Sequence, residues 1–241
     1  MTGTLYLIPN TLGATESLDH VIPTHVQALT ARLDYFVAEN AKTARAFLKL
    51  VDAGHPLAKP LQQIEIAELN VNTKAEALAG LLQPMLAGRD AGLLSEAGVP
   101  AVADPGADLV RLAHQRGVTV KPLVGPSSIL LAVMASGLNG QSFAFNGYLP
   151  TDAGQRAQRI KELEARSRKE RQTQLFIETP YRNAQFLQAL ADSCAPSTLI
   201  CVATDLSLPT ESVRTLSAAK WKATTPPDFH KKPTVFLLLA S

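Results

Sequence analysis

Cysteine is nearly absent. Cys194 and Cys201 are the only two among 241 residues, too few for a disulfide framework and without the paired spacing of a zinc site. Both thiols are expected to be reduced. Histidine is also sparse: His20, His25, His55, His114 and His230 are scattered with no i, i+4 pair, so a metal centre has little support. Long apolar runs are missing, the longest being 129–135 and 235–240, far below the roughly 20 residues of a membrane-spanning helix. Residues 1–9 carry no basic leader ahead of a short apolar piece that ends at Pro9. That segment is read as a strand and not as a signal peptide, and a cytosolic protein is expected.

Neither sign of charge is in excess. Twenty-three Lys and Arg against 21 Asp and Glu leave +2, which excludes a polycation and leaves only a local basic surface open. No internal repeat or low-complexity tract is present, which excludes a solenoid and a disordered arm. No G-x-G-x-x-G turn follows the first strand, so the pyrophosphate turn of an NAD enzyme is absent.

What is present is alternation. Strand patterns over 5–8, 34–39, 64–69, 91–94 and 118–124 are interleaved with helical patterns over 42–51, 74–87, 108–115 and 127–137. Such alternation predicts a largely parallel sheet covered on both faces, with right-handed crossovers. Gly140, Gly147 and Pro150 thicken the punctuation, and a lobe boundary is placed there, dividing the chain into 1–146 and 147–241. Beyond it follow a charged helix over 155–171, strand 173–178, helix 182–191 and strands 199–203, 213–216 and 234–239. The last strands are joined only by turns, so the second lobe should hold a mixed sheet. The expected fold is two α/β lobes.

Two strand-to-helix loops carry the chemistry. Residues 95–106, SEAGVPAVADPG, combine Gly98 and Gly106, which relax the backbone, with Pro100 and Pro105, which fix it; Asp104-Pro105 reads as the N-cap and first residue of the next helix. Residues 125–128, GPSS, repeat the arrangement. Ligands of open α/β sheets settle beyond the carboxyl ends of the strands, where helix N-termini offer free N–H groups, and two such loops make one crevice.

Read together, GTLYLIP (3–9), SEAGVPAVADPG, PLVGPSS (122–128), SGLNGQSFAFNGYLP (136–150) and IETPYRN (177–183) resemble the ribosomal RNA small subunit methyltransferase I family, within the wider tetrapyrrole-methylase class. The resemblance runs along nearly the whole chain in the right order. It implies two α/β lobes, S-adenosylmethionine in a cleft between them, RNA or the small ribosomal subunit as partner, and a homodimer. Matching the motifs residue by residue implies cofactor contacts at Gly98, Pro100, Val102, Ala103, Asp104, Pro126, Ser127 and Ser128, with Tyr148, Leu149, Ala203 and Pro233 from the second lobe. The chain departs from the pattern where Gly-Asn-Leu becomes Gly13-Ala14-Thr15, Glu-Asp-Thr-Arg becomes Glu39-Asn40-Ala41-Lys42, Asp becomes Glu96, His becomes Tyr181, and a late Gly-Glu becomes Lys232-Pro233. The cofactor loops keep the pattern better than the substrate-facing positions do.

A methyl on sulfonium is already activated, so the protein's task is position and orientation. For a hydroxyl acceptor, Glu96, Glu39 and Glu178 are the candidate proton acceptors, Glu96 first because it lies in the central loop; it reads equally as a capping carboxylate. Arg182, Tyr181 and Lys42 are the substrate-contact candidates. The 155–171 helix carries seven cations, from Arg156 to Arg171, against three glutamates. It reads either as an RNA-phosphate surface or as a solvated helix laced with ion pairs. Trp221 reads as core or interface. Three functions stay open: an RNA methyltransferase, a methyltransferase of a tetrapyrrole-like small molecule, and a cofactor-binding module without catalysis.

Overall fold

A computed structural model describes residues 1–241, and the chain forms two compact units, Met1–Ser127 and Ser128–Ser241. In the first, strands β1 (Thr4–Ile8), β2 (Tyr35–Ala38), β3 (Glu65–Glu68), β4 (Ala91–Leu94) and β5 (Thr119–Pro122) pair in the order β3-β2-β4-β1-β5. All four pairings are parallel. Every residue of β2 and β4 is buried, as expected of strands covered on both faces. Alternation along β2 sends Phe36 and Ala38 into a core with Val26, Phe47 and Leu48 of helices α1 (Thr24–Ala31) and α2 (Ala41–Gly54). Tyr35 and Val37 join the opposite core with Leu82 of α3 (Ala77–Leu86) and Leu109 of α4 (Ala107–Gln115). Truncating Phe36 to alanine would cost about 3–5 kcal/mol. Helix α1 has no counterpart in the sequence reading.

Helix α2 starts where it does because the Asn40 side chain accepts the N–H groups of Lys42 (2.9 Å) and Thr43 (3.3 Å). Asn and Asp are equivalent N-caps, so Asn40 keeps the helix start although it departs from the family pattern.

The second unit opens with α5 (Ser128–Ser136) and contains β6 (Phe143–Phe145), α6 (Ala153–Glu170), β7 (Thr173–Ile177), α7 (Asn183–Ser193), β8 (Leu199–Thr204), β9 (Ser212–Ser217), α8 (Ala218–Lys222) and β10 (Thr234–Leu239). Its sheet runs β6-β7-β10-β8-β9 and is mixed: β6 and β7 are parallel, the other pairings antiparallel. Phe176, Phe186, Phe236 and Trp221 centre its core, and the Trp221 indole donates to Ile200 O at 2.9 Å. Trp221 is thus a core residue. The division falls before α5 and not after Asn146, because α5 packs on β8, β9 and β10 and so joins the second core. Cys194 and Cys201 are both buried and free; burial, then the charge of Glu164, pushes the Cys194 thiol up to about 12, which leaves it unreactive. No helix is long and apolar enough to cross a membrane.

Candidate functional site

Because β2, β4 and β1 are adjacent and parallel, their chains leave the sheet at one edge. Glu39 follows β2 and donates its N–H to Leu94 O at 3.2 Å; Ser95 follows β4; Pro9 and Asn10 follow β1. Asn10 ties the β1 and β4 exits together. Its backbone N–H donates to Gly98 O at 2.8 Å, Gly98 N–H returns to Thr11 O at 3.3 Å, and its buried side-chain amide donates to the carbonyls of Ser95 (3.2 Å) and Glu96 (3.1 Å). In the sequence Asn10 belongs to no motif, and its only signal is its place after a strand-ending proline.

Gly98 sits at φ +69°, and a Cβ there would lie 3.1 Å from Leu12 Cδ2 and 3.6 Å from Pro126 O. Glycine is therefore required by the left-handed backbone and by contact with the β1 loop. At Gly125 a Cβ would come within 2.2 Å of Pro9 Cγ, so the second loop is packed against the first strand's exit. Pro100 and Pro126 are buried, and Ser127 is half-buried at the end of the first unit. Between the prolines, Ala101 (φ 65°) and Ala103 (φ 64°) hold left-handed conformations without being glycine, at a cost of about 1–2 kcal/mol each. They present Val102, 46% exposed, at the surface of the loop.

Asp104 does not cap the next helix. Helix α4 begins at Ala107 with Gly106 before it and no side-chain cap bond. The Asp104 carboxyl instead turns toward Ser95 and two glutamates. Burial first, then the charge of Glu39, pushes it up to about 6, against a Ser95 hydrogen bond that pulls it down; the Glu96 charge adds to the rise. Glu39 is also raised, mainly by burial, although its Oε2 accepts the Glu96 N–H at 3.4 Å. The central loop thus gathers three carboxylates, Glu39, Glu96 and Asp104, while 95–106 and 125–128 contain no lysine or arginine. They do not form a metal-ligating group. This donor set disfavours a phosphate and suits a cationic ligand with an apolar part lying against Val102.

Beside the carboxylates lies an open cavity of about 460 Å³, enclosed by the β1 loop at Asn10, Thr11 and 13–15, by Thr43, Ala46, Phe47 and Leu50 of α2, and by Glu96 and Ala97. The Thr43 hydroxyl donates to Glu96 Oε1 at 3.4 Å. The α2 side chains follow i, i+3, i+4, i+7 spacing and so share one face, a pattern that could have marked them in the sequence. Lys42 is exposed on the first turn of α2.

The remaining sequence candidates belong to the second unit. Ser128 opens α5. Tyr148 and Pro233 are exposed, whereas Leu149 is buried in the second core and Ala203 is buried on β8. Glu178 is buried and paired with Arg182, Nη2 to Oε1 at 2.6 Å, and accepts the Thr179 N–H at 2.6 Å; it is not an open base. Tyr181 is 72% exposed, with the His230 ring edge-on at 6.4 Å and Lys231 Nζ 5.7 Å from its centroid. Asn183, unassigned from sequence, fixes this corner by donating its amide to Phe229 O and Lys232 O, each at 2.9 Å.

On α6 the ion-pair reading accounts for most of the charge. Arg159, Arg166 and Arg168 pair with Glu162, Glu170 and Glu164. Arg156 is buried and donates to Thr151 O. Lys161, Lys169 and Arg171 are the exposed cations of 155–171 left outside ion pairs.

The sequence profile of the tetrapyrrole (corrin/porphyrin) methylases matches residues 22–220. The chain is 32% identical over 183 residues to the ribosomal RNA small subunit methyltransferase I of Vibrio cholerae, covering 72% of this chain and 62% of that protein. It is 33% identical over 181 residues to the protein of the same name from Streptococcus pyogenes, covering 75% of this chain and 57% of that one. The chain therefore spans about three fifths of the length of these curated relatives. The crystal structure of the methyltransferase CobJ superposes with a TM-score of 0.63 at 16% identity, covering 100% of this chain and 95% of that one, which shows a shared fold.

Proposed function

Since the chain belongs to the tetrapyrrole (corrin/porphyrin) methylase family, we propose that it is an S-adenosylmethionine-dependent methyltransferase acting on RNA, with small-subunit ribosomal RNA as the leading acceptor. The family supports the chemistry, and the names of the V. cholerae and S. pyogenes relatives support the acceptor. The observation that carries the cofactor is the donor set of the central loop: three carboxylates, no lysine or arginine, and an exposed Val102 between two strained alanines. A sulfonium cation is favoured there, and a nucleotide phosphate is not.

When bound, S-adenosylmethionine supplies a methyl group already activated by its positive sulfur. The chain's residues position and deprotonate. Gly98, Pro100, Val102, Ala103 and Asp104, with Pro126 and Ser127, form the first unit's cofactor loops; Ser128, Tyr148 and Pro233 are the second unit's exposed or half-exposed candidates. Leu149 and Ala203 are buried and offer backbone only. Glu96, on the cavity wall and fixed at its N–H by Glu39 and at Oε1 by Thr43, accepts the proton of the methylated group. Glu178 is excluded from that role by its pairing with Arg182. RNA of the small subunit would place the protein's work in the cytoplasm.

The test is methyl transfer from labelled cofactor to small-subunit RNA from cells lacking the gene. Label in that RNA, lost in Glu96→Ala even at saturating cofactor, is expected. Transfer to a porphyrinoid alone would overturn the RNA assignment, and cofactor binding without transfer to either would overturn catalysis.

A further inference from the structure

The cavity beside the central loop restricts what the acceptor can be. Its volume, about 460 Å³, falls in the range of about 300–1,000 Å³ typical of small-molecule sites. Phe47 and Leu50 form an apolar wall, while Ala14, Ala46 and Ala97 leave room by being small. Among all the residues that line it, Glu96 is the only charged one, and none is lysine, arginine or histidine. A phosphate or carboxylate placed there would lose water, gain no cation and face the Glu96 charge. A flat neutral ring would gain apolar contact on its faces and a carboxylate at its edge.

Resting on the methyl-transfer reading, the geometry points to this cavity as the acceptor pocket, and to the acceptor as an uncharged nucleoside ring system held with its phosphates outside. Glu96 and Ala97 are the start of the central loop and also part of the cavity wall, so a group in the pocket stands next to the residues assigned to the cofactor. None of those assigned residues lines the cavity itself. Ala14 and Thr15, where the chain departs from the pattern of the rRNA methyltransferases it resembles, both line it. The choice of acceptor is thus set by residues particular to this chain. Exposed Lys42, next to Thr43 on the first turn of α2, is the cation available to a phosphate outside the pocket. An acidic macrocycle has no counter-charge here.

Ala46→Trp fills the cavity from α2 without touching an assigned cofactor residue. Cofactor affinity by calorimetry should stay unchanged, while methyl transfer to small-subunit RNA falls by about tenfold or more. Ligand-observed NMR with the four free nucleosides and their 5′-monophosphates supplies a readout free of catalysis. The nucleosides should bind wild type more tightly than the monophosphates, by about fivefold, and should not bind Ala46→Trp. Should that variant unfold, Ala14→Leu narrows the same space from the β1 loop. Wild-type transfer by a folded variant, or monophosphates binding as tightly as nucleosides, would overturn the pocket assignment and leave the methyltransferase reading standing. Nucleosides excluded by Ala46→Trp in a protein that methylates no RNA would keep the pocket and sink the RNA reading.

Discussion

Arg182 closes on the buried carboxylate of Glu178 with two N–H groups, Nη2 at 2.6 Å and Nε at 3.1 Å. The arginine that looked best placed for substrate is therefore committed to a structural pair. Arg182→Ala leaves Glu178 with only the Thr179 N–H as partner. The expected loss is about 2–3 kcal/mol, below that of a fully buried pair because Arg182 reaches solvent. Chemical denaturation should show this loss, and Glu178→Gln added to Arg182→Ala should recover much of it. A stable Arg182→Ala protein with selectively weakened RNA binding would instead return Arg182 to substrate contact.

Cations outside ion pairs are better probes of RNA contact. Lys161 and Lys169 on α6 are exposed and unpaired, and each phosphate contact contributes about 0.9 to the slope of log affinity against log salt. Lys161→Ala with Lys169→Ala should reduce that slope by about two units while leaving cofactor affinity alone. An unchanged slope would confine α6 to a solvated face. A flat slope in wild type would remove RNA from the leading position.

The carboxyl of Asp104 titrates at about 6 in the folded chain, against about 3.9 for a free aspartate. Its folded pKa is raised, so the group costs no stability below about pH 4, costs progressively more between about pH 4 and 6, and costs the full amount above that range. Asp104→Asn should therefore raise the Tm at about pH 8 and leave it unchanged at about pH 4. Cofactor binding should show the opposite use of the same charge. Affinity for S-adenosylmethionine should rise with pH up to about 6 and level off above it, about tenfold for each unit by which the bound cation lowers that pKa, while the neutral thioether product shows no such rise. Equal pH dependence for both would separate Asp104 from the sulfonium.

Helix α5 has the sequence SILLAVMAS, apolar nearly throughout, yet Met134 is 78% exposed. A helix apolar on every side is normally covered, which supports the homodimer that the family resemblance implies. Light scattering should give twice 25.8 kDa for wild type and a shift toward the monomer for Met134→Lys. A wild-type monomer at micromolar concentration would refute the dimer.

The sequence by itself determined the layered architecture. Strict alternation of short apolar strands with amphipathic helices admits few solutions, and buried runs such as 91–94 announce a parallel sheet because only two-faced burial tolerates them. The central loop was legible for the same local reason, since glycine and proline act on the backbone where they stand. Helix α1 was not legible: Pro23 precedes it and no side chain caps it, so its boundaries rest on packing of Val26 and Ala31 in the core. Tertiary structure alone decided which charges are available. Glu178 and Arg182 looked like site residues until the β7 exit turned them on each other, and Asp104 looked like a cap until burial set it beside Glu39 and Glu96. It also decided the cavity, which joins three segments distant in sequence, the β1 loop to the central loop through the Asn10 amide and α2 to the central loop through Thr43. Local pattern fixes backbone conformation over a few residues, whereas the partners and solvation of a side chain depend on whatever the sheet order brings beside it.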